Sequence, residues 1–342
     1  MIGLLGFVAI WAAGLWFGWR RLWLWAGFWL WWAAIMGVHV PMMASPLAEL
    51  IGGDFGAWLV FGLLAAVVTI YRLALAAVRA RRVEVVDAPQ GSFRTAELDR
   101  YARHIILREI GGAGQKRLKA AKVLVVGAGG LGSPALLYLA ASGVGVIGVI
   151  DPDEVESSNL QRQIIHTDQR IGMPKVFSAQ TAMTALNPFV EVRPYHRRLD
   201  DATAADLIAD YDLVLDGTDN FDTRYLVNRT CVALAKPLIS GAITQWEGQL
   251  SLFDPAHGAP CYACIFPVPP APGMVPTCAE AGVAAPLPGV IGAMMAMEAV
   301  KHLTGAGATL AGRLMIHDAL YGETRVVATK RRADCAVCGA GE

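Results

Sequence analysis

Charged residues are scarce in this sequence, and most of the deficit lies at one end. Only 17% of the 342 residues are charged, against about 25% in soluble globular chains. Lysine and arginine equal aspartate and glutamate at 29 each, so the chain lacks the excess positive charge that attracts nucleic acid. Six cysteines are too few for a disulfide scaffold. Residues 1–71 hold four charged side chains, namely Arg20, Arg21, Glu49 and Asp54.

The N-terminal region contains three long apolar runs, at residues 2–18, 22–43 and 57–78. The third includes Arg72, whose side chain can extend to a membrane interface. Because a transmembrane helix needs about 20 apolar residues, the sequence predicts about three transmembrane helices in residues 1–79, followed by a linker over 80–92. A signal peptide is disfavoured because no positive segment precedes the first run.

The basic residues of this region predict its orientation. Arg20 and Arg21 separate the first two runs, and residues 44–56 contain no lysine or arginine. Basic residues favour the cytoplasmic side of a membrane. The pattern therefore predicts a multi-pass inner (plasma) membrane protein with residues 93–342 in the cytoplasm. The basic residues after the third run are Arg72, Arg79, Arg81 and Arg82.

A glycine-rich turn follows the first strand predicted in the remaining sequence. The apolar run 122–126 leads into a G-x-G-x-x-G pattern, a helix follows over 133–142, and a second strand, 146–150, ends at Asp151. Such glycines allow phosphates to approach the backbone at a helix N-terminus, and the acid can hold ribose hydroxyls. The pattern predicts a nucleotide site, with NAD as the default alternative. Its glycines are Gly127, Gly129, Gly130 and Gly132.

Polar and cationic residues after Asp151 favour phosphate chemistry over hydride transfer. A nicotinamide site needs an apolar pocket, whereas displacement at a phosphate needs cations and hydrogen-bond donors. A further buried strand, 213–215, leads into the sequence DGTDN, which places an acid where Mg²⁺ can bind beside phosphates. The residues of the polar cluster are Ser158, Asn159, Gln161, Arg162 and Lys175, and the segment after the strand includes Asp219 and Asn220.

Four of the six cysteines form two C-x-x-C pairs, Cys261 with Cys264 and Cys335 with Cys338. Two such pairs predict a tetrahedral zinc site, structural in role because all four ligands come from the protein. Cys231 lies in an apolar helical run and is expected to be a buried core thiol. Cys278 follows a proline-rich stretch, and whether it has a redox or thioester role stays open.

Together these residues resemble the ubiquitin-activating-type adenylyltransferases of molybdopterin and thiazole biosynthesis (MoeB/ThiF/HesA-like proteins). The resemblance runs from about Leu98 to Gly339 and leaves the apolar N-terminal region outside it. It implies a Rossmann-like α/β domain over 93–342, with a mainly parallel sheet flanked by helices. The matching motifs are RYARHIIL, the glycine turn, SNLQRQ, GMPK, TDN, TCAEAGV and both cysteine pairs.

The resemblance also implies roles for individual residues. Asp151 is expected to hold the ATP ribose, with Gly130 near the nucleotide, and Asp219 is expected to bind Mg²⁺. Arg103 would reach the phosphate site of a second subunit, which implies a homodimer. In the thiazole branch, the cysteine matching Cys278 takes part in sulfur transfer. The residues expected at the triphosphate are Asn159, Arg162 and Lys175.

The implied reaction is adenylylation of the C-terminal glycine carboxylate of a ubiquitin-like sulfur-carrier protein that ends in Gly-Gly. The carrier would be of the molybdopterin-synthase small-subunit type or the thiazole-biosynthesis type. No rhodanese-like domain follows Cys338, so sulfur is expected from a separate donor. The alternatives are a related tRNA-modifying dehydratase, an NAD-binding oxidoreductase and a non-catalytic membrane scaffold.

Overall fold

The computed structural model describes residues 2–16, 21–39, 46–80, 93–271, 274 and 278–339. The chain divides into two compact units, Met1–Asp87 and Ala88–Glu342. The predicted linker over 80–92 lies almost wholly outside the described residues, so the predicted domain bounds stay a prediction.

The N-terminal unit is helical and is built around aromatic side chains. Phe7, Phe28, Ile35 and Trp58 form its buried centre, with further tryptophans packed against them. The Phe7 and Phe28 ring centroids lie 4.6 Å apart. Aromatic burial of this kind draws the helices together without any charged pair in the centre. The helices are α1 (Ile2–Trp16), α2 (Arg21–Val38), α3 (Pro46–Ile51) and α4 (Phe55–Ala80).

The prediction of three membrane spans is wrong for the described residues, where one helix is long and apolar enough to cross a membrane. That segment is Phe55–Leu75, within α4. Helix α1 has 15 residues, about 22 Å at 1.5 Å per residue, against a hydrocarbon core of about 30 Å. Helix α2 ends at Val38, and its apolar part is Leu24–Val38.

The second unit is an α/β domain with one eight-stranded sheet in the order β3-β2-β1-β4-β5-β6-β7-β8. The first five strands in this order are parallel and the last three pairings are antiparallel. The predicted Rossmann-like, mainly parallel fold is confirmed. The strands are β1 (Lys122–Val126), β2 (Val146–Ile150), β3 (Glu191–Tyr195), β4 (Leu213–Asp216), β5 (Leu238–Ile243), β6 (Glu247–Phe253), β7 (Arg313–Asp318) and β8 (Glu323–Ala328).

Helices cover both faces of this sheet, which explains its apolar strands. In β1, Val123 and Val125 belong to one core, which also contains residues of α7 and α13. Leu124 and Val126 belong to the other, with residues of α9 and α10. The helices are α5 (Thr95–Ile105), α6 (Gly111–Ala120), α7 (Gly132–Ser142), α8 (Lys175–Leu186), α9 (Ala204–Ala209), α10 (Phe221–Ala233), α11 (Tyr262–Ile265), α12 (Cys278–Ala281) and α13 (Pro286–Thr304).

Strand register brings the predicted nucleotide-binding segments to one edge. Val126, the last residue of β1, pairs with Ile150 of β2 on one side and with Asp216 of β4 on the other. The chain order reverses between β1 and β4, and ligands of open α/β sheets bind outside the carboxyl ends of the strands at such a point. The glycine-rich turn, Asp151 and the segment after β4 therefore meet there.

Candidate nucleotide-binding site

The glycine-rich turn needs its first and last motif glycines for different reasons. Gly127 has a φ of +96°, which residues with a side chain rarely adopt. A Cβ on Gly132 would lie 1.9 Å from the carbonyl oxygen of Gly127, so any side chain would push the turn away from helix α7. A Cβ on Gly129 would meet only Gln163 Nε2, at 3.7 Å. Gly129 therefore leaves its peptide open to a ligand.

Two buried side chains hold the Ala128 peptide of this turn from opposite ends. The Ala128 N–H donates to Asp151 Oδ2 at 2.8 Å, and its carbonyl oxygen lies 2.9 Å from His166 Nε2. Because a carbonyl only accepts, Nε2 carries the imidazole proton and Nδ1 accepts from Ser178 Oγ at 2.9 Å. His166 thus ties the turn to helix α8.

Burial sets the protonation of both groups. It lowers the pKa of His166 to about 4 and raises that of Asp151, with the nearby Lys175 charge opposing the rise. The second oxygen of Asp151 accepts from the Asp153 N–H at 2.8 Å. Each carboxylate oxygen keeps a lone pair for a ligand hydroxyl, because each accepts one hydrogen bond here.

The low pKa of His166 gives a testable pH dependence. Below pH 6.5 the unfolded chain binds a proton at this histidine and the folded chain does not, so stability should fall between pH 6.5 and about 4. The contribution at the lower end is about 3 kcal/mol. We expect His166→Asn, which cannot titrate, to show a shallower fall of the thermal midpoint over this range. Equal slopes for the variant and the native chain would contradict this assignment.

A cavity of about 640 Å³ opens in front of the turn, at the carboxyl ends of β1, β2 and β4. It continues along β5 and β6 to an aromatic wall that contains Tyr262 and Phe266. Its size falls within the range of small-molecule sites. The predicted site residues among its lining are Gly127, Gly129, Gly130, Asp151, Arg162, Lys175, Asp219 and Asn220.

Two cations of the predicted cluster face this cavity, each held by an oxygen partner. The Lys175 ammonium donates to Asp153 Oδ2 at 2.8 Å, and its side chain is 7% exposed while that of Asp153 is 62% exposed. Arg162 donates from Nη2 to Asn159 Oδ1 at 3.1 Å. The partners fix the cations without saturating them, since guanidinium has five N–H donors and ammonium three. Both can still donate to phosphate oxygens.

The acids after β4 have different surroundings. Asp216 is fully buried, and its oxygens accept from the Thr218 N–H, the Thr218 hydroxyl and the Ser240 hydroxyl. Arg224 lies 3.4 Å from the same carboxylate and donates to the Thr218 carbonyl at 2.6 Å. Asp216 therefore anchors the loop. Asp219 is exposed and lines the cavity, so of the two acids after β4 it is the one available to a cation.

Asn220 caps helix α10. Its Oδ1 accepts from the Thr223 N–H at 2.9 Å, which satisfies one free donor of the first helical turn. For a ligand, Asn220 keeps the two N–H donors of its amide and one lone pair of its oxygen.

The remaining predicted residues are not among the described residues that line the cavity. Ser158 and Gln161 are exposed, and Gly132 lies against Gly127 as described above. Arg103 is exposed in the last turn of α5. Cys278 begins α12, and its side chain is outside the described residues.

Three site residues were not predicted from the sequence. Gln163 lines the cavity, is 5% exposed, and its Oε1 has no hydrogen-bond partner among the described residues. Its place beside Arg162 in the motif was the available signal. For His166, two preceding isoleucines indicated burial. Arg224 gave no signal, because its partners Asp216 and Ser240 belong to separate strands.

The four predicted zinc ligands lie together in the folded chain. The Sγ atoms of Cys261, Cys264, Cys335 and Cys338 are all within 4.8 Å of one another. Three of the separations are 3.9, 3.6 and 3.3 Å, close to the roughly 3.8 Å that tetrahedral Zn–S bonds of about 2.3 Å require. The Arg332 N–H donates to Cys264 Sγ at 3.5 Å. This buried cluster can bind a metal ion. Cys231 is separate from it and buried, as predicted.

Comparison with known proteins agrees with this geometry. The model of the ThiF family matches residues 101–337. The sulfur carrier protein adenylyltransferase of Thermus thermophilus is 52% identical over 71% of this chain and 91% of its own length. The SAMP-activating enzyme E1 of Haloferax volcanii is 48% identical over 73% and 92%. A crystal structure of E. coli MccB with MccA-N7isoASN shares the fold, with a TM-score of 0.63 and 24% identity over 70% of this chain and 75% of that one.

Proposed function

The chain belongs to the ThiF family, and we propose that it is an ATP-dependent adenylyltransferase that activates the C-terminal glycine carboxylate of a ubiquitin-like sulfur carrier. One observation carries the proposal. The cavity at the β1–β4 switch point combines the glycine-rich turn with two fixed cations and the exposed carboxylate of Asp219. The relatives named above, one of them a sulfur carrier protein adenylyltransferase, support the substrate class.

In the proposed reaction, a carboxylate oxygen of the carrier attacks the α-phosphorus of ATP. A new phosphorus–oxygen bond forms, the bond to the bridging oxygen breaks, and pyrophosphate leaves with the electron pair. The product is a carrier acyl-adenylate. Negative charge grows on the phosphate oxygens during this step, and preorganised donors stabilise it.

The residues divide this work by position. Asp151, at the end of β2, would accept from the ribose hydroxyls. Arg162 and Lys175 would hold phosphate oxygens, with Asn159 orienting the guanidinium as its 3.1 Å hydrogen bond indicates. Asp219 would hold Mg²⁺, which when bound supplies positive charge to the phosphates.

The cavity also accounts for the second substrate. Beyond the phosphate end it follows β5 and β6 past Ala242, Ile243 and Gln249. The terminal glycines of a carrier tail have no side chains, so an extended tail could approach the phosphate end along these strands. Conversion of the acyl-adenylate to a thiocarboxylate would use sulfur from a separate donor protein.

A homodimer and a structural zinc ion complete the proposal. Arg103 is exposed and outside the cavity lining of its own chain, so a phosphate contact by this residue requires a second copy. The four-cysteine cluster has the sulfur spacing of a zinc site, and four protein ligands leave no open position for chemistry.

Carrier-dependent exchange of labelled pyrophosphate into ATP tests the function directly. We expect exchange with a carrier that ends in Gly-Gly, of either the molybdopterin-synthase or the thiazole-biosynthesis type, and none with the same carrier shortened by its last glycine. Absence of exchange with every glycine-ended carrier, under conditions where the protein binds ATP, would refute the proposal.

A further inference from the structure

The N-terminal unit exposes aliphatic side chains around an aromatic interior. Along α4, six large apolar residues are between 57% and 65% exposed: Val60, Leu63, Leu64, Val67, Ile70 and Leu73. Their spacing of one to three positions places them together on one broad face, about half of the helix circumference. A soluble monomer exposes such residues singly or in small patches. A continuous apolar exterior needs an apolar surrounding.

Most of the described polar side chains inside this unit donate to its own backbone, whereas the buried Nε2 of His39 has no partner among the described residues. The indole N–H groups of Trp31, Trp32 and Trp58 donate to backbone carbonyls of Gly3 at 2.9 Å, Trp58 at 2.9 Å and Gly52 at 2.8 Å. The Thr69 hydroxyl donates to the Ala65 carbonyl of its own helix at 2.8 Å. A bilayer imposes this demand, because its core offers no hydrogen-bond partner.

Close packing depends on small residues at the helix contacts. A Cβ on Gly6 would lie 2.3 Å from the Trp31 ring, and one on Gly62 would lie 2.3 Å from the Trp32 ring. Small residues that admit a neighbouring helix are typical of membrane helix packing. These contacts join α1 to α2 and α2 to α4.

Charged residues limit α4 at both ends of its apolar part. Asp54 precedes the helix and accepts from the Ala57 N–H at 2.6 Å. The next charged residue is Arg72, so 17 uncharged residues lie between, about 26 Å of helix. Arginine can extend its guanidinium by several ångströms to an interface, which brings this length close to a bilayer core of about 30 Å.

We propose that the N-terminal unit is embedded in a lipid bilayer, with α4 as its crossing helix and acyl chains against the exposed aliphatic surface. Arg72, at the end of the crossing segment, would reach anionic headgroups, and the four arginines within residues 72–82 of the sequence favour the cytoplasmic side for this end. The ThiF domain follows on that side. The proposal is independent of the adenylyltransferase function.

Two lysine substitutions with equal exposure test the role of lipid. Leu64 and Leu73 are 63% and 64% exposed, but Leu64 lies mid-helix and Leu73 beside Arg72. The full chain is reconstituted into phosphatidylcholine–phosphatidylglycerol vesicles, washed with alkaline carbonate and floated on a density gradient. We expect the native chain and Leu73→Lys to float, and Leu64→Lys to lose insertion on the order of 50-fold. In a water-exposed helix both lysines would be tolerated alike.

Other results would overturn the proposal. Flotation of Leu64→Lys equal to that of the native chain, or release of the native chain by carbonate, excludes a crossing helix. A detergent-free dimer that Leu64→Lys dissociates would make this surface a contact between copies. A C-terminal alkaline phosphatase fusion that is active outside the cytoplasm would refute the orientation. Pyrophosphate exchange in detergent should be equal in both variants, so loss of exchange with retained flotation counts against the enzyme function alone.

Discussion

Replacing Asp219 with alanine is expected to lower the rate of carrier adenylylation at least about 100-fold, which is about 2.7 kcal/mol of transition-state stabilisation. The reason is the contrast between two acids. Asp216 is buried, accepts three hydrogen bonds from Thr218 and Ser240 and lies 3.4 Å from Arg224, whereas Asp219 is exposed and faces the cavity. Removing the Asp219 carboxylate removes the group proposed to hold Mg²⁺ against the phosphates. Labelled pyrophosphate exchange measures the rate.

Asp222→Ala is the matched control for this variant. Asp222 is an exposed acid in the first turn of α10 and is not among the described residues that line the cavity. It should retain near-native exchange. Arg162→Ala should lose a similar factor to Asp219→Ala, while raising the ATP concentration for half-maximal rate. A near-native rate in Asp219→Ala across a Mg²⁺ titration would show that this acid does not hold the metal.

Replacing Cys335 with serine is expected to remove one zinc ion per chain and to lower the thermal midpoint by roughly 10 °C or more, since loss of a metal is among the largest single-residue effects. Metal binding free energy is folding free energy at such sites. Cys335 lies 3.6 Å from Cys261, across 73 intervening residues. Without the metal these buried thiols no longer hold the C-terminal segment against α10 and α11. Metal content by mass spectrometry and thermal unfolding measure the two effects.

The same variant should also slow catalysis, because the metal cluster is continuous with the site. Tyr262 lies between Cys261 and Cys264, its N–H donates to Asn228 Oδ1 at 2.8 Å, and its ring stacks 4.8 Å from Phe266 in the cavity wall. The Arg224 guanidinium lies 5.7 Å from that ring and holds the Thr218 carbonyl. Displacing the segment from Cys261 to Cys264 therefore disturbs the loop that carries Asp219.

Cys231→Ala separates loss of metal from loss of a thiol. Cys231 is 1% exposed and outside the cluster, and burial raises its pKa. Its removal should cost some stability but leave zinc content and exchange activity unchanged. A Cys335→Ser protein that keeps its full zinc content, or a native chain without zinc after metal-replete expression, would contradict the assignment.

In the N-terminal region, the length of an apolar run did not by itself predict a membrane-crossing helix. Apolar runs of 17 and 22 residues predicted two of the three spans, but among the described residues only Phe55–Leu75 is long and apolar enough to cross a membrane. Hydropathy measures how favourably side chains transfer out of water, and it does not contain the aromatic contacts between α1, α2 and α4. In α4 the apolar run and the helix coincide, so that prediction stays.

Local sequence patterns by themselves predicted a nucleotide-binding site and a cysteine metal site. The strand, glycine turn, helix and acid at 122–151 are adjacent in the chain, and their geometry follows from backbone sterics and strand register. The C-x-x-C pairs likewise predict thiolate ligands at the spacing of a metal site. Burial of all four residues from Val123 to Val126 follows from helices on both sheet faces, which the continuous apolar run already indicated.

Tertiary structure alone decided which of these residues face the ligand and which support it. Asp216 and Asp219 are three residues apart, and although the resemblance assigned the cation to Asp219, the physical reason appears only in the fold, where Arg224 and Ser240 pack around Asp216. His166 reaches the Ala128 carbonyl across 38 positions, and the cysteine pairs meet across 70 residues. Such pairings depend on the strand order and helix packing of the whole domain. The free energy that stabilises this packing comes from contacts throughout the core, so no short segment of the sequence predicts them.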